Sequence, residues 1–557
     1  MYLMWGSLLL VFGLFNFSLG LYVMYKEIVY VIEVFLGKFM LMEYKIYLML
    51  DYMSLSFCGV VMFISGMVIL YSDEYMSGDK GKMKFCYMVL LFVLSMVLMV
   101  VGTNMVMILL GWDGLGLVSY VLVMYYQNVS SNNAAMITVL TNRIGDVGVI
   151  LSIMMMVGFN MWDMLLVKLS GEWVNMLVIF ILMGAMTKSA QMPFSAWLPA
   201  AMAAPTPVSS LVHSSTLVTA GVYLVIRFSY YFNGGMFSDV LLYISVMTMF
   251  MAGLGANYEM DLKKIIALST LSQLGVMMMV LSLGMSNLAY FHLIMHAMFK
   301  AMLFLCAGII IHSGGDIQDV RMMGMMSTMS PFVSGMIGVG SLSLGGFPFL
   351  SGFYSKDMIL EYVYMYNVSM FMIIMIILGT MFTMLYSLRL MYYCVWMGIM
   401  KGSMVSYEEM GLMNVPVFIM GLLVVFMGSM IFWVMFFKPV FIFLSMKIKV
   451  MNLLLVVFSM WLSVLVYVSN FSLYTTNIWK YFFGGMWFLP MISSLITKNI
   501  YKNMLYYGKN IEQGWYEDFG SQGMFYMMKY EMKMNVEGGS MSVYLLLFVW
   551  LILFMLW

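Results

Sequence analysis

Long apolar runs separated by short polar segments fill most of the chain. A helix needs about 20 apolar residues to cross the hydrocarbon core of a bilayer. By that measure the pattern predicts about fifteen membrane spans. They lie at residues 3–24, 52–71, 84–102, 104–126, 133–157, 174–191, 207–231, 238–256, 262–284, 288–313, 332–366, 367–395, 414–436, 449–468 and 541–557. The pattern therefore predicts an all-α, polytopic membrane protein.

Two of these spans are interrupted. An unbroken apolar run at 174–187 is followed by Lys188 and then by two prolines, and three glycines and a proline within 345–352 precede Lys356. Proline breaks the helical hydrogen-bond ladder, and irregular backbone at membrane depth survives only inside protein or beside water. Broken helices in both halves of a chain favour an inverted-repeat transporter. Ordinary kinks in a membrane bundle are the alternative.

Two further segments depart from the pattern of spans. Residues 25–50 mix charged, β-branched and aromatic residues, which predicts an excursion from the bilayer such as a hairpin. Residues 469–540 hold no uninterrupted span but interleave charged residues with Tyr, Phe and Met. This spacing favours an amphipathic lateral helix along a surface over a simple loop.

The chain divides into six parts on this pattern. They are N-terminal helices with the hairpin (1–83), a first repeat (84–256), a second repeat (238–395, with an approximate boundary), additional membrane helices (396–468), the lateral helix segment (469–540) and a C-terminal membrane anchor (541–557).

Composition supports a membrane protein and excludes other classes. Hydrophobic residues make up 64% of the chain and charged residues only 9%, against about 25% charged in soluble domains. A net charge of +1 excludes a basic nucleic-acid-binding surface. The four cysteines are scattered, so they lack the clustering of iron–sulfur ligands, and no Gly-x-Gly-x-x-Gly motif follows a strand. We expect no redox cofactor and no metal in this chain.

Ionisable residues inside spans are costly and usually functional. Here they recur in series as Asp113, Arg143 with Asp146, Lys188, His213, His292, His296, Lys300 and Lys356. Burial disfavours a charged lysine and a nearby carboxylate favours it, while histidine titrates near neutrality. Interacting sites of this kind have coupled titrations, as directional proton transfer requires. A sodium carrier would instead favour carboxylates and backbone carbonyls.

Several of these residues have a structural alternative. Arg143 and Asp146, three residues apart, could form a local salt bridge, and His213 could be a packing histidine. Lysines can also snorkel to the membrane interface. Snorkelling is disfavoured for Lys188, which ends a short apolar run, and for Lys300, which is central in its span.

His292 and His296 have the spacing of metal ligands on a helix. However, that helix offers no carboxylate or thiolate nearby, and Lys300 would repel a cation. All three residues lie within one stripe of the helix. This placement favours a proton relay over a metal site.

The motifs around these residues resemble the antiporter-like subunits of respiratory complex I. The similar stretches are Gly111–Tyr120, Asn142–Asp146, Thr187–Pro199, Ala204–Ser215, Asp261–Gln273, His292–Lys300 and Gly352–Asp357, which together extend over about residues 50–395. The forms Leu211-Val-His-Ser-Ser215 and Gly352-Phe-Tyr-Ser-Lys-Asp357, with the charged C-terminal segment, resemble subunit 5 rather than subunits 2 or 4.

The resemblance implies a proton-translocating membrane-arm subunit of NADH:ubiquinone oxidoreductase in the mitochondrial inner membrane. NADH, FMN, iron–sulfur clusters and ubiquinone would be bound by other subunits. The lateral helix would run along the membrane arm and contact other subunits, especially 4 and 2.

The resemblance also implies roles for individual residues. Asp113 stands where the family usually has Glu, and it would partner Lys188. The central relay would consist of His213, His292, His296 and Lys300, and Lys356 would be the terminal lysine. Asp146 is the remaining candidate for proton transfer.

Two other functions compete with this interpretation. A stand-alone or Mrp-type cation/proton antiporter is expected to continue into further C-terminal membrane domains. A non-conducting structural scaffold of the membrane arm would not need the intact series of ionisable residues.

Overall fold

The computed structural model describes residues 1–39, 42–158, 172–232, 235–366, 368–397, 411–436, 441–468, 477–537 and 542–555. Its elements are α1 (Tyr2–Lys26), β1 (Tyr30–Phe39), β2 (Met42–Leu50), α2 (Tyr52–Tyr75), α3 (Lys82–Val101), α4 (Met105–Val123), α5 (Val129–Gly158), α6 (Glu172–Lys188), α7 (Trp197–Ala200), α8 (Thr206–Val208), α9 (Leu217–Arg227), α10 (Ser229–Phe232), α11 (Met236–Tyr258), α12 (Leu262–Ser282), α13 (Ser286–Ser313), α14 (Met326–Met329), α15 (Pro331–Gly345), α16 (Ser351–Met365), α17 (Met370–Met391), α18 (Gly411–Met435), α19 (Met446–Val468), α20 (Asn477–Gly484), α21 (Leu489–Asn510), α22 (Tyr516–Phe519), α23 (Ser521–Glu537) and α24 (Ser542–Met555). Short π-helical stretches lie at Ser209–Thr216, Tyr392–Trp396 and Ile511–Trp515, and 3₁₀ turns lie at Ala201–Ala203, Val320–Met322 and Met486–Phe488.

Each predicted span corresponds to a helix, and the interrupted span predicted at 332–366 consists of α15 and α16. Within the described ranges, twelve helices are long and apolar enough to cross a membrane. Three shorter apolar helices, Trp173–Lys188, Pro331–Gly345 and Leu546–Met555, correspond to the remaining predicted spans. The predicted all-α polytopic class is therefore confirmed. Residue 367 and the ends of the predicted anchor, 541 and 556–557, lie outside the described residues.

Burial differs sharply between helices. Three segments are buried throughout their most apolar stretch: the continuous helical segment Thr206–Arg227 and helices α12 and α13. Helices α1 and α19 are mostly exposed. A helix that is apolar all round belongs in the centre of a bundle. The three central segments carry His213, two further candidate histidines and Lys300, so these groups lie in the protein interior.

Both predicted helix breaks are confirmed. Helix α6 ends at Lys188, and the chain stays non-helical until α7 begins. Helix α15 ends where Gly346 adopts a left-handed conformation with φ of 85°, which a residue with a side chain rarely adopts. Helix α16 then starts at Ser351, and a Cβ on Gly352 would lie only 1.7 Å from the carbonyl oxygen of Ser343. The second break therefore requires glycine at both positions.

The excursion predicted at 25–50 is an antiparallel β-hairpin, with Tyr30 opposite Leu50 and Phe39 opposite Met42. The backbone nitrogen of Thr103 donates to the carbonyl of Tyr47 at 3.3 Å, which ties the second strand to the start of α4. The prediction of a hairpin is confirmed.

The chain forms two compact units, Met1–Trp487 and Phe488–Trp557. The second unit contains α21, α22, α23 and α24, and its described side chains are mainly exposed. Helix covers most of the predicted lateral segment; 469–476 and 538–540 lie outside the described residues. The position of this unit along a membrane surface stays a prediction. The boundaries of the six parts of the chain also stay predictions.

Candidate functional site

Helices α4, α5 and α6 bring together the first group of candidate residues, the α4–α6 cluster, which consists of Trp112, Asp113, Arg143, Asp146 and Lys188. Lys188 is fully buried. Its ammonium donates to the backbone carbonyl of Trp112 at 2.8 Å and lies 4.5 Å from the centroid of the indole ring. The lysine is therefore held by one residue through both a carbonyl and an aromatic face.

The carboxylates of the α4–α6 cluster are bound by other groups. The indole N–H of Trp112 donates to Asp146 Oδ1 at 2.9 Å. Arg143 Nη1 lies 3.2 Å from Asp146 Oδ2 and 3.8 Å from Asp113 Oδ2. The local salt bridge predicted between Arg143 and Asp146 is confirmed. Asp113 Oδ1 is buried and has no hydrogen-bond partner among the residues that the structure describes.

The expected pairing of Asp113 with Lys188 takes a different form. Among the described residues, Lys188 makes no ion pair, and Asp113 instead contacts Arg143. Asp is one methylene shorter than the Glu usual in the family, and the lysine is already bonded to Trp112.

Close helix packing places this cluster. A Cβ on Gly145 of α5 would lie 2.0 Å from Thr187 Oγ1 of α6, and a Cβ on Gly111 of α4 would lie 2.6 Å from the backbone nitrogen of Met99 of α3. Small residues let helix backbones approach each other closely in membrane bundles. Gly145 therefore brings α5 close to α6 beside Lys188, and Gly111 packs α4 against α3.

His213 lies in the π-helical stretch between α8 and α9. The Thr216 hydroxyl donates to the carbonyl of Leu211 at 2.7 Å. The His213 ring centroid lies 6.2 Å from that of Trp197. Neither ring nitrogen of His213 has a partner in the described part of the protein. Sequence reasoning missed the π-helix; the signal was the run of Ser and Thr, whose side chains compete for backbone carbonyls.

The second group of candidates, the α12–α17 cluster, consists of Ser269, Gln273, His292, Lys300, Ser355, Lys356 and Thr383. His292 Nδ1 is 2.9 Å from Ser355 Oγ, and His292 Nε2 is 3.2 Å from Gln273 Oε1. The ammonium of Lys300 donates to the hydroxyl of Ser269. Since Ser355 precedes Lys356 on α16, the histidine reaches directly to the second broken helix.

Lys356 is buried at the second break. Its ammonium donates to Thr383 Oγ1 at 2.7 Å and to the carbonyl oxygen of Gly345, the last residue of α15, at 3.4 Å. The lysine therefore binds a carbonyl that the broken helix leaves free, and it does not snorkel to the surface.

His296 is fully buried one turn from His292, with the two ring centroids 6.4 Å apart. Both nitrogens of His296 lack a partner among the residues described, whereas both nitrogens of His292 are engaged. Within the same residues, no group of three His, Cys, Asp or Glu side chains is placed to hold a metal ion.

A polar chain beside Lys356 was not among the sequence-predicted residues. Asn452 of α19 donates to Asp357 Oδ1 at 2.9 Å, and the hydroxyl of Tyr364 donates to Asn452 Oδ1 at 3.1 Å. A cavity of about 30 Å³, lined in part by Lys356, Asp357, Asn452 and Ser459, adjoins these groups. It is large enough for water.

Further buried charges, among them Asp51, Lys263 and Arg389, were missed because they lie at or near the ends of spans, where charge is ordinary. Lys263, near the start of α12, donates to the carbonyl of Ala204 at 3.3 Å. Arg227, at the end of α9, forms a buried ion pair with Asp51 just before α2. The partner of each is far away in sequence, so no local signal identifies the pair.

Comparison with known proteins identifies the family to which this fold belongs. The family model described as NADH:quinone oxidoreductase/Mrp antiporter matches residues 102–383. Models of the NADH dehydrogenase subunit 5 C-terminus and of the N-terminus of complex I chain 5 match residues 386–557 and 39–86. With its broken helices and buried lysines, the protein is an antiporter-like membrane subunit of a respiratory oxidoreductase.

Curated relatives narrow this class. NADH-ubiquinone oxidoreductase chain 5 of Anopheles quadrimaculatus is 44% identical over 98% of this chain and 97% of its own length. The chain 5 of Locusta migratoria is 46% identical over 91% of each. The chain belongs to the family of NADH-ubiquinone oxidoreductase chain 5. It is a membrane-arm subunit of complex I and a multi-pass protein of the mitochondrial inner membrane, so the alternative of a stand-alone antiporter is set aside.

Two solved structures share the fold. A chain of the Mrp complex from Dietzia sp. DQ12-45-1b aligns with a TM-score of 0.70 and 23% identity over 82% of this chain, which spans 52% of that longer chain. A chain of the membrane-bound sulfane sulfur reductase, an archaeal respiratory membrane complex, aligns with a TM-score of 0.66 and 18% identity over 77% of this chain and 90% of its own. Both confirm the antiporter-like fold.

Proposed function

We propose that this subunit carries protons through a buried series of ionisable side chains, driven by redox chemistry elsewhere in complex I. The series consists of Asp113, Asp146, Lys188, His213, His292, His296, Lys300 and Lys356. The non-conducting scaffold is the competing function.

One observation carries the proposal. The three candidate lysines are buried, and each ammonium donates to neutral oxygens: Lys188 to a carbonyl, Lys300 to a hydroxyl, and Lys356 to a hydroxyl and a carbonyl. A neutral acceptor stabilises a buried ammonium less than a carboxylate does. A hydroxyl can also rotate and donate to the lysine once it is neutral. Such sites can hold a lysine with or without its proton.

The histidines would link these lysines. His292 contacts Ser355 next to Lys356, which supports transfer between α13 and α16. His213 and His296 have no partner among the described protein groups. Because buried polar groups are rarely left unsatisfied, we infer that water binds these rings and completes the path.

The same proposal extends to the cofactors and to the neighbouring subunits of the complex. NADH, FMN, iron–sulfur clusters and ubiquinone would be bound by other subunits. The helices within residues 489–537 would contact neighbouring membrane-arm subunits, especially subunits 4 and 2. Their many exposed aromatic and Met side chains support a role in contacting lipid or protein.

Replacing Lys188 tests the proposal. Lys188→Met keeps the apolar stem but removes the titrating group, and Lys188→Arg keeps a charge that cannot be released at physiological pH. We expect both variants to assemble and both to lower proton translocation per NADH oxidised in reconstituted membranes. Lys82, a partly exposed lysine paired with Asp73 at 2.5 Å, offers the matched control, because Lys82→Arg keeps its ion pair.

The outcomes separate the two functions. Full proton translocation by an assembled Lys188→Arg complex would rule out the relay role of this lysine. Rescue by Arg together with failure of Met to assemble would show a structural charge, as the scaffold requires. Loss of pumping in both variants, with Lys82→Arg unaffected, would support the relay.

A further inference from the structure

Trp112 contacts both the base and the acid of the α4–α6 cluster. Its carbonyl oxygen and ring face hold the Lys188 ammonium, and its indole N–H holds Asp146. Trp112 and Lys188 are fully buried. The lysine and the carboxylate are therefore connected through one residue, whose carbonyl binds the lysine and whose indole contacts both groups, instead of through a direct ion pair.

The other charged groups near Trp112 are the ones whose positions this residue can influence. Asp113 is its neighbour on α4, Arg143 and Asp146 face it from α5, and Lys188 faces it from α6. The α3 residues that pack closest to this part of α4, Ser95 and Met99, are uncharged.

We propose that Trp112 is a positioning residue that keeps the Lys188 ammonium and the Asp146 carboxylate apart but coupled. Asp146 then acts on the protonation of the lysine through the indole that contacts both groups. The indole fixes one Asp146 oxygen and Arg143 fixes the other. This prevents the carboxylate from forming a direct ion pair with the ammonium, which would hold the proton on the lysine permanently. The inference rests on the proposed function of Lys188.

Replacing Trp112 with Phe tests this arrangement. The variant keeps a ring face and the backbone carbonyl but loses the N–H bond to Asp146. We expect proton translocation in the assembled complex to fall about tenfold, as loss of a hydrogen bond to a charged group would produce. We also expect its pH profile to move in the same direction as that of Asp146→Asn. A purely structural role would lower assembly without moving the pH profile.

Double mutants distinguish the two carboxylates. If Trp112 acts through Asp146, Trp112→Phe adds little to the loss caused by Asp146→Asn, and it adds more to the loss caused by Asp113→Asn. Fully additive losses with Asp146→Asn, or stronger coupling to Asp113, would overturn the inference. A wild-type rate and pH profile in Trp112→Phe would do the same.

If the Trp112→Phe variant fails to assemble, the carboxylate variants test the inference instead. Asp146→Asn must then lower proton translocation and move its pH profile in assembled complexes, and a wild-type rate and profile overturn the inference. Normal pumping by Lys188→Arg would instead remove the proposed function itself. The two failures are therefore distinguishable.

Discussion

The ion pair between Asp51 and Arg227 joins parts of the chain that are distant in sequence. The carboxylate accepts from Arg227 Nη2 at 2.8 Å and pairs with Nη1, and Arg227 Nε donates to the hydroxyl of Tyr223 at 2.7 Å. Asp51 also caps α2 by accepting from the backbone nitrogen of Ser54 at 2.8 Å. Its replacement should therefore destabilise the fold while leaving the candidate proton path intact.

The expected cost follows from these contacts. Removing one partner of a buried ion pair costs about 3–5 kcal/mol, because the other charge is left uncompensated. Asp51→Asn should cost this amount while keeping a good helix cap. Asp51→Ala also loses the cap, which adds about 1 kcal/mol. Asp319 provides the control: it pairs with Arg321 at 2.6 Å, but the pair is much more exposed, so Asp319→Asn should cost less than about 1 kcal/mol.

The ion pair between Asp51 and Arg227 also predicts that the stability of the fold depends on pH. Burial alone would raise the pKa of Asp51, but the hydrogen bond and charge of Arg227, with bonds to Ser54, bring it below its ordinary value. A carboxylate whose pKa is lowered on folding stabilises the fold above its unfolded pKa of about 3.9. This contribution to stability is lost as the pH falls through the lower pKa that Asp51 has in the folded protein. Asp51→Asn should therefore lose less stability on acidification than the wild type does.

Cys58 reports unfolding of this region because it is buried in α2. We would heat the purified complex with a thiol reagent and measure the temperature at which Cys58 becomes modified, by mass spectrometry. That temperature should decrease in the order wild type, Asp51→Asn, Asp51→Ala. Protons translocated per NADH should stay at the wild-type value in assembled complexes. An unchanged temperature, or impaired translocation in an assembled complex, would refute this reasoning.

Three further predictions concern the second cluster and the C-terminal unit. Thr383→Val removes the hydroxyl bound to Lys356, so proton translocation should fall several-fold in assembled complexes, and a normal rate would contradict the role of this contact. Asn452→Leu removes the donor to Asp357 and should slow translocation less than replacing Lys356 itself does, as measured in the same vesicles. Deleting 489–557 should weaken association with neighbouring subunits more than membrane insertion, and normal assembly on native gels would count against the lateral helix.

The spans and both breaks were predictable because their signals are local. Length and apolarity determine which segments can cross a membrane. The proline and glycine near Lys188 and Lys356 act on the backbone next to them, and Gly346 adopts the left-handed conformation that its residue type favours. The hairpin at 25–50 was likewise visible in its residue types.

The partners of the charged residues could not be predicted in the same way. Lys188 binds Trp112 and not Asp113, although the two are adjacent on α4. Which of them faces the lysine depends on how α4 rotates against α6, and hydropathy does not fix that rotation. The π-helical turn around His213 likewise shifts the register of the side chains that follow it. Neither effect is encoded in spacing alone.

The buried lysines of this structure share one kind of hydrogen-bond partner. Among the described residues, Arg143 and Arg227 bind carboxylates, and the partly exposed lysines Lys45, Lys82 and Lys264 do so as well. By contrast, the buried lysines Lys188, Lys263, Lys300 and Lys356 donate to carbonyl or hydroxyl oxygens.

Arginine stays charged at any physiological pH, so it suits a fixed ion pair. A lysine bonded to a neutral oxygen can release its proton without leaving a carboxylate unpaired. Of the two most deeply buried arginines, Arg227 has a carboxylate partner, whereas Arg389 donates to the carbonyl oxygens of Ala256 and Asn257. The preference of the buried lysines for neutral acceptors is therefore the feature of this fold that most directly favours proton transfer over a passive scaffold.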